Sequence, residues 1–212
     1  MSTMNETIQG YGLVPVVVLN DAKDAVPLAK ALCDGGLPVA EVTFRTDAAE
    51  ESIRQISAAF PEMLVGAGTV LTIDQVDRAV AAGAKFIVAP GFDPEIVDYC
   101  ISKDIPVYPG VVTPSELAQA VKRGLKVVKF FPAEQYGGVK TIKALAAPYP
   151  MMKFMPTGGV SLKNLKDYME CDKVAACGGS WMVKGDLVKA GKFDEIRQLT
   201  ADAVALAKEL RG

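Results

Sequence analysis

A chain of 212 residues with 23 basic and 25 acidic side chains, a net charge of −2 and no basic tract is poorly suited to binding nucleic acid. It contains no histidine, which removes every His-dependent triad and the usual zinc ligand, so acid–base work falls to carboxylates, lysines, tyrosines or water. Half of the residues are hydrophobic, enough for a sizeable core, yet no apolar run reaches the roughly 20 residues that span a bilayer.

Met1 to Gly12 has neither the basic start nor the apolar centre of a secretory leader and is expected to form a short N-terminal extension of about 1–12. From there, short apolar runs alternate with longer amphipathic segments. The runs are Leu13–Leu19, Val39–Phe44, Leu64–Ala67, Phe86–Ala89, Val107–Tyr108, Leu125–Phe130, Phe154–Pro156 and Val174–Cys177. Between the first two, Ala25, Leu28, Ala29 and Leu32 fall on one helical face. Helix starts are expected at Thr72, at Thr113-Pro114-Ser115-Glu116 and at Ser161, and helix ends at Gly35-Gly36, Gly83 and Gly124. Runs apolar on both faces mean a sheet covered on both sides. Eight successive βα units close most naturally into a (β/α)8 TIM barrel, an α/β fold, here a single domain over residues 1–212. The alternative is a doubly wound open sheet. Cys33, Cys100, Cys171 and Cys177 are scattered, without C-x-x-C spacing, and read as reduced structural thiols. A cytoplasmic location is the default expectation.

In such a barrel the reactive groups lie at the C-terminal ends of the strands, and alternate residues point inward. In the second run, Val39, Glu41, Thr43 and Arg45 share the inner face, which brings a carboxylate inside and a guanidinium to the rim. In the third, Val65, Ala67 and Thr69 are expected to face inward, with Gly66 and Gly68 leaving room. The sixth run carries the most informative residue, Lys129, within Val127-Val128-Lys129-Phe130-Phe131-Pro132. Desolvation favours a neutral amine, the form that condenses with a carbonyl. Lys153 sits in a similar apolar setting but can only begin its strand, after Pro150, at the opposite end of the barrel. Glu41 and Lys129 could instead be a buried ion pair that holds the barrel together, and Arg45 an exposed loop residue. Pro156-Thr157-Gly158-Gly159 after the seventh run and Gly178-Gly179-Ser180 after the eighth suit a phosphate held by backbone N–H groups. Gly137-Gly138 reads as a turn. Trp181 and Tyr136, near the same end, read as packing residues, with lining of the pocket as the alternative.

Five stretches, in order, resemble a known family. They are Glu41-Val42-Thr43-Phe44-Arg45-Thr46, Val65-Gly66-Ala67-Gly68-Thr69-Val70, Lys129-Phe130-Phe131-Pro132-Ala133-Glu134, Pro156-Thr157-Gly158-Gly159 and Gly178-Gly179-Ser180-Trp181. The chain is similar, from about Leu13 to Leu210, to the pyruvate-forming class I aldolases that cleave 2-keto-3-deoxy-6-phosphogluconate (KDPG) and 4-hydroxy-2-oxoglutarate (KHG). The resemblance implies that Lys129 forms the Schiff base and that Glu41 is the general acid–base. It implies contacts from Arg45 and Thr69 to the pyruvyl carboxylate, a pocket shaped by Pro90 and Phe131, and a substrate contact from Thr157. Gly158, Gly159, Gly179 and Ser180 would bind phosphate. It further implies a keto acid and a phosphosugar as partners, no metal or cofactor, no membrane, and a homotrimer. Threonine at 157 favours the gluconate substrate over the galactonate epimer. Two other functions fit the glycine turns: another phosphate-binding barrel enzyme, such as a phosphosugar isomerase or synthase, and a non-catalytic barrel that binds a small anion. Neither needs a buried Lys129.

Overall fold

A computed structural model describes residues 3–211 of the chain. The strands are β1 (Leu13–Val17), β2 (Val39–Thr43), β3 (Leu64–Gly68), β4 (Ile87–Val88), β5 (Val107–Tyr108), β6 (Gly110–Val111), β7 (Val127–Phe130), β8 (Lys153–Pro156) and β9 (Cys177–Gly179). All pair in parallel, in the orders β5-β4-β3-β2-β1-β9 and β6-β7-β8. β5 and β6 are halves of one strand broken at Pro109, which has no N–H to give to a ladder. β8 and β9 are joined by bridges from Phe154 to Val174 and from Thr157 to Gly178. Nine short strands thus fill eight positions of a closed ring, the expected (β/α)8 barrel, and the open sheet is excluded.

The helices are α1 (Met4–Tyr11), α2 (Ala25–Asp34), α3 (Ala49–Ala59), α4 (Ile73–Ala81), α5 (Pro94–Ser102), α6 (Pro114–Lys122), α7 (Gly138–Ala146), α8 (Leu165–Met169), α9 (Gly185–Lys189) and α10 (Phe193–Arg211). Each buries at least one apolar side chain. On α2, Ala25, Leu28, Ala29 and Leu32 are all buried, and each leucine contributes about 1.5–3 kcal/mol by leaving water. Thr72 caps α4, and Thr113 with Glu116 forms a reciprocal capping box on α6. Past α2, α4 and α6 the chain turns through Gly36, Gly83 and Gly124, each in the left-handed region. Ser161 does not begin a helix. Its N–H is taken by the Asn164 side chain, and α8 starts only at Leu165.

α1 occupies most of the expected N-terminal extension. Its Ile8 is fully buried, and Asn5 accepts a 2.9 Å hydrogen bond from Tyr108 inside the ring. With Phe86, stacked edge-on against it at 5.9 Å, Tyr108 fills the lower interior. Among the described residues no helix is long and apolar enough to cross a membrane.

The inner face of β3 differs from expectation. A methyl on Gly66 would overlap the Phe86 ring, and one on Gly68 would overlap the Glu41 side chain. The two glycines therefore face inward, and Val65 and Ala67 face the helices. The Gly178-Gly179 pair is also displaced from its expected place. Both residues belong to β9 itself rather than to the loop after it.

Candidate active site

β2 and β7 bring their polar inner-face residues together from opposite sides of the ring. Lys129 Nζ lies 3.3 Å from Glu41 Oε1, with side-chain exposures of 2% and 0%. This is a single contact, and among the described residues the other carboxylate oxygen, Oε2, is buried without a partner. Desolvation of such a pair cancels much of its attraction unless further hydrogen bonds complete it. An unused acceptor beside a buried amine makes the pair the candidate for chemistry in this cavity, with a structural brace as the alternative. Phe131 sets its ring 5.1 Å from Lys129 Nζ. Gly68 opposite is what leaves space for the Glu41 carboxylate. Lys153, by contrast, opens β8 and is paired with Val127, at the far end of the strands.

Above this pair is a cavity of about 780 Å³ whose lining includes Arg45, Phe131, Thr157, Gly158, Gly159, Gly179 and Ser180. Lys129 and Glu41 lie one layer below. Lys129 is paired in register with Met155, two residues before Thr157. Thr69 does not line the cavity but accepts a 3.2 Å hydrogen bond from Arg45 Nε. It does so with φ at 56°, a left-handed conformation rare for a β-branched residue, and such a conformation costs on the order of 1–3 kcal/mol. That left-handed turn, not the alternation of β3, carries Thr69 to Arg45. Pro90 lines a separate groove of about 250 Å³ with Val70, Leu71 and Phe92.

The glycine turns are held by backbone on both sides. Ala133 and Glu134 donate N–H bonds to the carbonyls of Thr157 and Gly158, at 2.8 and 3.1 Å. Glu134 in turn accepts from the Tyr168 hydroxyl. Gly158 and Gly159 have φ of 93° and 82°, and a side chain at 159 would collide with Glu134. Across the seam, a methyl on Gly178 would overlap the Thr157 hydroxyl, and one on Gly179 would overlap the Trp181 ring. These close approaches bring the ends of β8 and β9 to one edge of the cavity. Among the described residues no group of three His, Cys, Asp or Glu side chains is placed to hold a metal ion.

Residues 4–199 match the sequence model of an aldolase family, KDPG and KHG aldolase. The chain belongs to this family. It is 45% identical over 206 residues to 2-dehydro-3-deoxy-phosphogluconate aldolase of Treponema pallidum, covering 97% of this chain and 98% of that protein. Its identity to the KHG/KDPG aldolase of Escherichia coli K12 is also 45%, over 207 residues and 97% of each chain. Among solved structures it is similar to a KDPG aldolase from Legionella pneumophila in which pyruvate was captured as a covalent carbinolamine intermediate. The TM-score is 0.91 at 38% identity, over 94% of this chain and 98% of that one.

Several lining residues of this aldolase fold escaped the sequence reading. Val16 and Val18 are inner-face neighbours on and just after β1, inside a run so uniformly apolar that alternation gives no sign of which side faces in. Trp181 lines the cavity, the alternative its position offered beside packing, while its indole N–H is buried without a partner among the described residues. Tyr136 is half exposed and outside the lining. Lys184 joins the lining from the loop after β9, and no local pattern distinguishes it from a solvated surface lysine.

Proposed function

We propose that the protein cleaves 2-keto-3-deoxy-6-phosphogluconate to pyruvate and glyceraldehyde 3-phosphate by a metal-independent Schiff-base mechanism. The observation that carries this reading is the buried 3.3 Å Lys129–Glu41 pair directly below a cavity that ends in the Gly158-Gly159 turn and the Gly178-Gly179 end of β9. Lys129 attacks the C2 ketone as a free amine, and the resulting carbinolamine loses water to give an iminium ion. Glu41, with one oxygen toward the nitrogen and one unused, carries the protons of these steps. The iminium then draws in the electrons of the C3–C4 bond as that bond breaks. Glu41, directly or through a water molecule, removes the C4 hydroxyl proton. Glyceraldehyde 3-phosphate leaves, the enamine takes a proton at C3, and water hydrolyses the imine to pyruvate and free Lys129.

The rest of the wall serves orientation. Arg45, exposed at the rim and tied to Thr69, grips the substrate carboxylate. Phe131 and Thr157 flank the reacting carbons, while Pro90, in its separate groove, has no part in this wall. Gly158, Gly159, Gly179 and Ser180 receive the phosphate through N–H groups and a hydroxyl. Cleavage of 4-hydroxy-2-oxoglutarate to pyruvate and glyoxylate needs the same Lys129 chemistry without the phosphate contacts, and the relative from Escherichia coli carries both activities in its name. The galactonate epimer has weaker support, since the related galactonate-type structure is only 28% identical to this chain.

Pyruvate plus borohydride tests the proposal. A reduced pyruvyl adduct mapped by mass spectrometry to Lys129, and missing from Lys129→Ala, is the expected result. An adduct on another lysine, or none at all, sinks the mechanism.

A further inference from the structure

We infer that Lys184 is a specificity-determining residue, the cation that draws the phosphate end of the substrate into the cavity. The inference rests on the aldolase reading above and extends it. The wall carries two charged side chains, Arg45 and Lys184, both cationic, with no carboxylate among its lining residues, in a protein whose net charge is −2. The two cations stand on different sides. Arg45 follows β2, while Lys184 follows β9, with Val16 and Val18 of the β1 region between them. A substrate with a carboxylate at one end and a phosphate at the other matches such a wall, and a singly charged keto acid does not.

Placement of Lys184 is fixed from within. Ser180 accepts a 3.1 Å bond from the N–H of Val183, which closes the turn after β9. Met182 and Val183 are buried at 0% and 3% exposure and anchor that turn in the core. The next residue, Lys184, emerges at the rim, and its carbonyl accepts from Val188 as α9 begins. Ser180 and Lys184 thus belong to one braced loop. Among the described residues Lys184 forms no ion pair, and Asp186 in the following turn is the neighbouring acid on its own element. The backbone turns supply directed but neutral donors. A lysine adds a mobile point charge that attracts a phosphate without demanding a fixed geometry.

Trp181, the single tryptophan, lines the same cavity and reports occupancy by its fluorescence. Glycerol 3-phosphate is titrated into the wild type, Lys184→Ala and Lys184→Arg at low ionic strength, with glycerol as the uncharged control. Binding should weaken roughly tenfold in Lys184→Ala, recover in Lys184→Arg and lose much of its salt dependence in the alanine variant. In turnover, Lys184→Ala should raise KM for the phosphorylated substrate by a similar factor with little change in kcat. It should affect 2-keto-3-deoxygluconate, the same carbon chain without phosphate, less than twofold. Equal binding by wild type and Lys184→Ala, an equal loss on both substrates, or no phosphate binding by any form overturns the assignment. A Lys184-dependent phosphate titration in a protein that cleaves neither substrate would retain Lys184 as the phosphate cation and overturn the aldolase reading alone.

Discussion

Lys129 and Glu41 touch through one contact at 3.3 Å, deep in the barrel, with a carboxylate oxygen left over. A buried pair so incompletely bonded adds little to stability, because each ion gives up several kcal/mol of hydration that a single contact does not restore. Truncating one partner is a different matter, since it strands the other. Glu41→Leu should therefore lower the unfolding free energy by about 3–5 kcal/mol. The double replacement Glu41→Leu with Lys129→Met should return it to within about 1 kcal/mol of the wild type, or above it. Both proteins should be unable to form the pyruvate adduct. Urea denaturation beside the trapping assay separates the two roles. A double variant as unstable as the single one would make the pair a structural brace.

At the scale of the element, alternation made the inner face of β2 legible because its polar and apolar side chains contrast. Glu41, Thr43 and Arg45 stand out from Ala40 and Val42, and the Thr43 hydroxyl indeed turns inside to the carbonyl of Val17. β3 offered no such contrast. Val65 and Ala67 were the obvious candidates for the interior over the glycines between them, and that space was already taken by Phe86 and Glu41, which only glycine can accommodate. The left-handed turn at Thr69 was hidden for the same reason, its partner Arg45 lying 24 residues away, whereas the displaced start of α8 is local, the Asn164 side chain taking the Ser161 N–H in place of a cap at Ser161. Arg211 is the extreme case. It ends α10, donating 2.7 Å to the carbonyl of Gln9 in α1 and 2.9 Å to the carbonyl of Ala175 before β9. Burial pushes its pKa below the usual arginine value, so the guanidinium is costly to place there, and the two carbonyls are its compensation. Nothing near it in the sequence marks a contact that closes the chain on itself. Arg211→Ala should lower stability by about 1.5–3 kcal/mol, the worth of hydrogen bonds to a charged group. Arg211→Lys, which cannot fork to both carbonyls, should recover only part of it. Thermal or urea unfolding of the two variants checks this, and a neutral alanine variant would show that the clamp carries no energy.

For the molecule as a whole, the closed ring and its helical coat bury three thiols, Cys100, Cys171 and Cys177, and burial shifts two of them on separate elements, Cys100 on α5 and Cys177 at the start of β9. Burial pushes Cys100 up to about 11 and Cys177 up to about 12, from an ordinary value of 9.0. Unfolding returns both to water, where they ionise near pH 9. Above that pH the unfolded chain gives up protons that the native barrel retains. The native state then binds more protons, so its stability falls as pH rises. The thiol contribution is fully present below pH 9 and is lost between pH 9 and about 12. Tyr108 and Tyr168, also raised by burial, act in the same direction at higher pH. At pH 10.5 each thiol should account for a loss on the order of 2 kcal/mol relative to pH 8. Urea unfolding at the two pH values should therefore show a smaller alkaline decline in Cys100→Ala with Cys177→Ala than in the wild type, whatever the cavities left by the missing sulfurs do to absolute stability. Parallel declines in the two proteins would mean that the thiols reach solvent in the native state, and that the barrel is looser around α5 and β9 than their burial implies.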